Sequence, residues 1–371
     1  MAPSELVLLT GGNGFVGSAV LVALCEAGYD VRAVVRRQEA IDKTSAHPLI
    51  KRFSDRIQWS VIPDITKSDA YLEVVKGCHH IVHVASPLPP IPPRPMDLRT
   101  PALEGTQAII KAAESEPLVK RVVITGSVAS LMQPEQRLPE HPDNQPGATV
   151  PLMSAETHYP TPAERPDDAT TPPMHRYFDS KLASANLVRD YAAAHRDSHF
   201  QIVILCPGWV LGPGLFVTNK TEAMATANLT LGWVMADLRA AVNPVIGLPA
   251  EQPSPYRTEF VWVDDVALGH VRALTVPLPS GTNLQIWIMA VDSPAGLRIE
   301  DVEDILKRRT PEIAKHLSFA GRGKVQSLPI NSDSGRTQEE LLGKKYVSFE
   351  DQVVKAVEWI VSLPDAEPSA A

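Results

Sequence analysis

The sequence predicts an α/β protein: a doubly wound parallel sheet with a smaller, mostly helical C-terminal lobe. Three observations carry this. Short apolar runs recur at 6–9, 30–35, 57–61, 80–85, 121–125 and 201–205, and the stretches between them are long enough for crossover connections. Most are apolar at nearly every position, as strands buried on both faces must be. The first run leads through Thr10-Gly11-Gly12-Asn13-Gly14-Phe15-Val16-Gly17 into an apolar helical segment, Ser18 to Ala27, which is a strand, a glycine turn and a helix start.

Size and charge bound the rest. A chain of 371 residues that is 44% hydrophobic can build one large domain with a companion lobe. The net charge of −8, from 35 basic and 43 acidic residues without a basic block, argues against nucleic acid and anionic membrane as partners. No apolar run approaches the roughly 20 residues of a membrane span, and the glycine turn interrupts the apolar N-terminus, which lacks a basic leader. Cys25, Cys78 and Cys206 lie in apolar segments and cannot all pair, so a reducing, cytoplasmic location is expected.

In the glycine turn, Gly11, Gly14 and Gly17 allow a tight bend, close approach to a pyrophosphate and tight packing of helix on strand, while helix N–H groups attract the phosphate. Asp30–Val35 reads as the second strand, and Arg36-Arg37 follows where such a fold selects its cofactor. An acidic residue there would bind the 2′-hydroxyl of NAD; the guanidinium fork of Arg36 suits a 2′-phosphate, favouring NADP(H). A solvated basic pair is the alternative, and Lys43 adds a second charge if its loop folds back. After the third strand, Ile57–Val61, Asp64 either accepts from an adenine amino group or caps a helix predicted over Ser68–Lys76.

The fourth strand, His80 to Ala85, carries two histidines next to Cys78 and His79. Strand geometry sets 79 and 83 roughly 13 Å apart and turns 80 to the other face, so no metal site is expected. His83, Val84, Ala85 and Ser86 are placed to line a cofactor, His83 being otherwise an ordinary sheet residue. Pro87 to Pro101, with seven prolines in fifteen residues, is a stiff loop at the ligand-binding edge of the sheet, either a pocket lip with Pro87 against substrate or a surface insertion. A helix over Pro101–Ser115 and a fifth strand, Arg121–Thr125, lead to Gly126-Ser127.

Gln133 to Pro173 is proline-rich, with little periodicity, and is too long for an ordinary connection. A helix is predicted from Tyr177 to about His195, then a sixth strand, Gln201–Leu205. Residues 212–255 mix helical and irregular pieces, largely apolar; Trp209 and Phe216 are expected to wall the substrate pocket. Strands at 260–263 and 284–288 flank a helix that Asp264 is expected to cap; helices near 299–309 and 349–361 close the fold. The expected division is a dinucleotide-binding domain over 1–206, a lobe over 207–362 whose 260–291 portion returns to the core, and a disordered tail over 363–371.

Of seven tyrosines, only Tyr177 is followed four residues later by lysine, so Tyr177 and Lys181 share a helix face. A phenol with an ordinary pKa of about 10 is a weak acid at neutral pH; a neighbouring ammonium and an oxidised nicotinamide stabilise its phenolate. Tyr177 can then protonate a carbonyl oxygen as hydride arrives. Ser127 closes the fifth strand where Tyr177 arrives, and its hydroxyl can donate to the developing alkoxide or simply satisfy backbone.

Taken in order, Thr10–Gly17, Arg36, His83-Val84-Ala85-Ser86-Pro87, Pro101–Thr106, Thr125-Gly126-Ser127, Tyr177–Lys181, Pro207-Gly208, Phe260–Ala267 and Phe349-Glu350 make a chain that resembles the extended short-chain dehydrogenase/reductase family, part of the NAD-dependent epimerase/dehydratase superfamily, and within it the dihydroflavonol-reductase-like carbonyl reductases. The resemblance implies a Rossmann-type sheet. It implies Gly11, Gly14, Phe15, Val16 and Gly17 around the pyrophosphate, Arg36 and Lys43 at the 2′-phosphate, and Asp64 and Ile65 at adenine. Ser127, Tyr177 and Lys181 would form the catalytic triad, and Pro207 and Val210 would border the nicotinamide. Gly126 stands where the family usually has serine or threonine, Arg37 where an acidic residue is common, and Gln133–Pro173 is longer than its counterpart. The expected activity is NADPH-dependent reduction of a ketone or aldehyde on an apolar or aromatic molecule, by a monomer or homodimer. A nucleotide-sugar epimerase or dehydratase would need basic residues for a second diphosphate, and Lys220, Arg239 and Arg257 are scattered. A 3β-hydroxysteroid dehydrogenase-like enzyme would usually bring a membrane anchor, and a non-catalytic NADP sensor has no need of Tyr177 with Lys181.

Overall fold

A computed structural model of the chain describes residues 5–89, 96–145, 147–166, 168, 170–235, 243, 248–249, 251–257, 259–291, 298–328 and 330–366. Seven strands form one sheet: β1 (Leu6–Thr10), β2 (Asp30–Val35), β3 (Ile57–Val61), β4 (His80–His83), β5 (Arg121–Thr125), β6 (Gln201–Pro207) and β10 (Leu284–Met289). Their order is β10-β6-β5-β4-β1-β2-β3, and every neighbouring pair is parallel. Chain direction across the sheet reverses at β1 and β4, the switch point where ligands of open α/β sheets bind.

Alternation along each strand builds two cores. Leu8, Ile81, Val122, Ile124, Ile202 and Ile204 point to one face, where α4 (Arg99–Ser115) and α5 (Pro173–Ala194) pack side by side. Val7, Leu9, Val82, Val123, Val203 and Leu205 point to the other, covered by α1 (Phe15–Glu26) and α8 (Val263–Ala273). A third core, with Leu211, Leu231, Phe260, Ile305, Phe349 and Val357, belongs to the C-terminal lobe. It takes in α7 (Leu229–Met235), α9 (Val302–Arg309) and the final helix, Phe349–Ser362. Two short parallel pairs complete the lobe: β7 (Trp209–Leu211) with β9 (Phe260–Trp262), and β8 (Ser254–Arg257) with β11 (Val325–Leu328).

Several expectations need correction. Residues 68–76 form linked turns rather than a helix, with bonds such as Ala70 N–H to Lys67 O and Leu72 N–H to Asp69 O and one four-residue bond, Val75 N–H to Tyr71 O at 2.9 Å; Tyr71 and Val75 are buried in the core, which holds the segment in place. The helix α1 begins at Phe15, with Gly17 inside it, and α5 begins at Pro173, a proline suited to a first helical position. Asp264 caps nothing: α8 starts one residue before it, and its carboxylate accepts from Trp262 Nε1 at 3.1 Å. Residues 299–301 are a separate 3₁₀ turn ahead of α9. The stretch 133–173 contains 3₁₀ turns at Pro134–Arg137 and Pro142–Asn144 and a parallel bridge between Met153 and Ser332. Pro364 and Asp365 are held by the Lys220 N–H and ammonium, respectively; 367–371 of the expected tail, 90–95 of the first proline loop, and 236–242 and 244–247 of the apolar stretch lie outside the described residues.

Candidate active site

The glycine turn is built by close backbone contact. Gly11 adopts a φ of +74°, and a Cβ there would lie 2.8 Å from the Ala85 amide nitrogen, so the ends of β1 and β4 meet main chain to main chain. A Cβ on Gly17 would sit 1.9 Å from the Gly11 carbonyl oxygen. Gly14 donates its N–H to that oxygen at 2.9 Å and accepts from Ser18 N–H at 2.9 Å. Gly14 precedes α1 without a side-chain cap, and the first turn of this 12-residue helix has no acidic residue. Bare backbone facing the positive end of a helix fits a pyrophosphate.

At the next strand end Arg36 and Lys43 are exposed. Burial pushes the Tyr71 phenol up, and the nearby Arg36 charge opposes it. Lys43 faces α6 (Lys220–Met224), where Glu222 is held below the usual carboxylate range first by the Thr218 N–H, with Lys43 helping. Phe216 meets His47 edge-on at 5.6 Å, which sets this expected substrate residue above the region after β2. The Asp64 carboxylate accepts from Thr66 N–H at 3.0 Å and from its hydroxyl at 2.6 Å, capping a turn. Ile65 is buried in the core next to Gly105.

The remaining expected residues gather at the carboxyl ends of β4, β5 and β6. Lys181 is buried and donates from Nζ to Ser86 Oγ at 2.9 Å. Its Nζ lies 5.7 Å from the centre of the Tyr177 ring, as the four-residue spacing requires. Burial lowers the Lys181 ammonium to about 8. Ser127 is buried; its Oγ accepts from Ala129 N–H at 3.1 Å, capping the 3₁₀ turn Val128–Leu131, and leaves the hydroxyl proton able to donate. Pro207 ends β6. Gly208 is required because a Cβ would meet the Glu259 carbonyl oxygen at 2.1 Å; the crossing sets Trp209 and the buried Val210 on β7, against β9. Ala85 and Ser86 are half-buried beside Lys181, and the half-buried Val84 packs on the other face of the sheet, whereas Pro87 is buried and its neighbour Leu88 is 64% exposed.

Two threonines at strand ends reveal partners that spacing did not predict. Thr10 Oγ1 lies 2.8 Å from His83 Nδ1 and accepts from Ala85 N–H at 3.2 Å. Thr125 Oγ1 lies 2.7 Å from His270 Nε2, while His270 Nδ1 donates to Val266 O at 2.8 Å. Burial lowers His83 to about 3 and His270 to about 4, so both imidazoles are neutral at pH 7. His83 is therefore a polar anchor of the turn. His270 lies 145 residues from Thr125, and nothing local in the sequence marks the pair. Among the described residues no group of three His, Cys, Asp or Glu side chains is arranged to hold a metal, and no helix is long and apolar enough to cross a membrane.

Residues 7–286 match the profile of the NAD dependent epimerase/dehydratase family, and the chain belongs to that family. It is similar to the NAD-dependent epimerase/dehydratase FUM13 of Gibberella moniliformis, at 29% identity over 94% of this chain and 93% of that protein. It is also similar to the ketoreductase CTB6 of Cercospora nicotianae, at 26% identity over 98% and 97%. Its fold matches the crystal structure of yeast methylglyoxal/isovaleraldehyde reductase Gre2 complexed with NADPH, with a TM-score of 0.72 at 22% identity over 96% of this chain and 98% of that one.

Proposed function

We propose that the chain is an NADPH-dependent oxidoreductase that reduces a ketone or aldehyde on an apolar or aromatic small molecule to the alcohol. The observation that carries this is the buried Lys181, bonded to Ser86 and set beside the Tyr177 ring at the same sheet edge as Ser127. Names of relatives such as ketoreductase support the reaction class, as does the aldehyde reductase 2 of Sporidiobolus salmonicolor. Residues 1–206 would hold the cofactor, and 207–362 would supply most of the substrate lobe.

The cofactor, when bound, supplies hydride to the carbonyl carbon. Gly11, Gly14, Phe15, Val16 and Gly17 cradle its pyrophosphate, and Arg36, with Lys43 near, takes the 2′-phosphate. Tyr177 donates its phenolic proton to the carbonyl oxygen, and the Lys181 ammonium stabilises the phenolate left behind. Ser127 donates to the same oxygen as negative charge develops on it. Trp209 and the exposed Leu88 offer apolar surface for the substrate.

The test follows cofactor absorbance while a panel of carbonyl compounds is incubated with NADPH. Reduction of apolar ketones or aldehydes is expected. Tyr177→Phe should lower kcat by about 10²–10⁴ while leaving NADPH affinity nearly intact. Interconversion of a nucleotide sugar without net NADPH use would refute the reductase reading.

A further inference from the structure

The segment joining Ser127 to Tyr177 is strapped over α4 and α5 by side chains that hold its backbone. Arg189 Nη2 donates to the carbonyls of Ala155 and Thr157 at 3.2 and 3.0 Å. Asn186 Nδ2 donates to Tyr159 O at 2.9 Å and Thr161 Oγ1 at 3.0 Å. Arg99 Nη1 donates to Pro162 O at 3.0 Å. One member of the strap differs from the rest: the Arg165 guanidinium ties two side chains, one on α5 and one in the 3₁₀ turn 134–137. Its Nε donates to Asp179 Oδ2 at 2.6 Å, and its Nη2 donates to Glu135 Oε1 at 2.9 Å.

The two carboxylates are not equivalent. Asp179 follows Tyr177 by two residues in α5, on the helix face away from the one that Tyr177 and Lys181 share, with its side chain only 5% exposed. Glu135 lies in the 3₁₀ turn 134–137, eight residues beyond Ser127, and is 46% exposed. The turn that Ser127 caps, Val128–Leu131, is itself buried and packs on α5. Resting on the reductase reading, we propose that Arg165 is a positioning residue for the reaction: it staples the segment carrying Ser127 to the helix carrying Tyr177, so that both hydroxyls address one carbonyl oxygen. A planar guanidinium with donors in a fixed fork suits such a two-sided tie, where a lysine ammonium would hold one carboxylate with less directional control. Because a displacement of about 1 Å at reacting groups can cost on the order of 100-fold in rate, a staple at this place acts on turnover rather than on binding. Nothing in the glycine turn depends on it.

The experiment compares wild type with Arg165→Met, Arg165→Lys, Glu135→Gln and the double variant Arg165→Met/Asp179→Asn, reading kcat, KM for the carbonyl compound, NADPH Kd and Tm. Arg165→Met is expected to lower kcat by about 10–100-fold, with NADPH Kd within about threefold of wild type. Arg165→Lys should recover part of the loss. Glu135→Gln keeps the buried Arg165–Asp179 pair, so the protein stays folded, and should lower kcat several-fold. The double variant removes the buried carboxylate that Arg165→Met leaves unpaired; it should regain Tm but not kcat, separating positioning from stability. Wild-type kcat in Arg165→Met, or kcat recovering together with Tm in the double variant, overturns the proposal while leaving the reductase reading in place. A wild-type protein that reduces no carbonyl compound overturns both.

Discussion

Gly17→Ala places a methyl group where the structure has no room. Its Cβ would lie 1.9 Å from the Gly11 carbonyl oxygen and 2.6 Å from the Gly11 carbonyl carbon, against the 3.0 Å below which real Cβ contacts essentially never fall. The obstacle is main chain, not the movable end of a side chain, so α1 and the turn must part by about 1 Å. That displacement opens the Gly14 to Gly11 bond, now 2.9 Å, and turns the first-turn N–H groups away from a phosphate. A hydrogen bond to a charged group contributes about 1.5–3 kcal/mol. Losing two of them costs about 3–6 kcal/mol, or roughly 10²–10⁴ in NADPH Kd. Gly12→Ala is the control, since its Cβ meets side chains rather than main chain, Leu9 Cδ2 at 3.2 Å and Ala33 Cβ at an ordinary 3.8 Å, and should change Kd by no more than a few-fold. Titration of cofactor fluorescence, with Tm measured on each variant, checks this. A Gly17→Ala protein that folds and binds NADPH like wild type refutes the reasoning.

Other consequences are as direct. Arg36→Asp should weaken NADPH far more than NADH, and equal weakening of both in the same titration would rule out a 2′-phosphate contact. Lys181→Met should abolish most turnover yet raise the Tm of the cofactor-free protein at pH 7. Burial lowers the folded-state pKa from 10.5 to about 8, so the penalty for holding an ammonium is fully present below about pH 8 and relieved as pH rises towards 10.5. The gain is on the order of 1–3 kcal/mol and should shrink across that window in Tm measurements from pH 7 to 10. Glu5 is held down to about 2 by hydrogen bonds from Lys120, first, and then His80. Its contribution is present above its ordinary value of 4.5 and lost as pH falls through about 2, so Glu5→Gln should flatten the acid side of the stability profile over that range, measured by denaturant unfolding.

What sequence reasoning reached was set by local chemistry. The turn Thr10–Gly17, the six strands from Leu6 to Leu205, and the pair Tyr177 and Lys181 each carry their evidence within a few residues, as glycine spacing, apolar runs or a helical interval. The misses have a common cause in long-range contact. Residues 68–76 have helix-compatible composition, and Tyr71 and Val75 are buried four residues apart as on a helix face, but the bonding is of linked three-residue turns around the one Val75 N–H to Tyr71 O link. Phe216 packs edge-on against His47, just beyond α2 (Gln38–Ser45), a contact that no local pattern announces. His270 is visible only through Thr125, and Arg165 only through Asp179 and Glu135. Gly126, a departure at sequence level, has a steric reason: a Cβ there would lie 2.7 Å from Ile204 Cγ2 and 3.2 Å from Cys206 Sγ.

The bridge between Met153 and Ser332 bears on the order in which the molecule comes together. Met153 exchanges backbone bonds with Asn331 and Asp333, and Asn331 Nδ2 donates to Val150 O across 181 residues. Contacts of such separation close late, because a long loop must be drawn in before they form. During synthesis β1 through β5 can pair while the ribosome is still far from residue 330, but one end of the strap has no partner until that point has emerged. A chain arrested before residue 331 would carry its glycine turn, Ser127, Tyr177 and Lys181 and still lack this clasp. Protease sensitivity near Val150 should therefore be high in such a nascent chain and fall once the C-terminal third is complete.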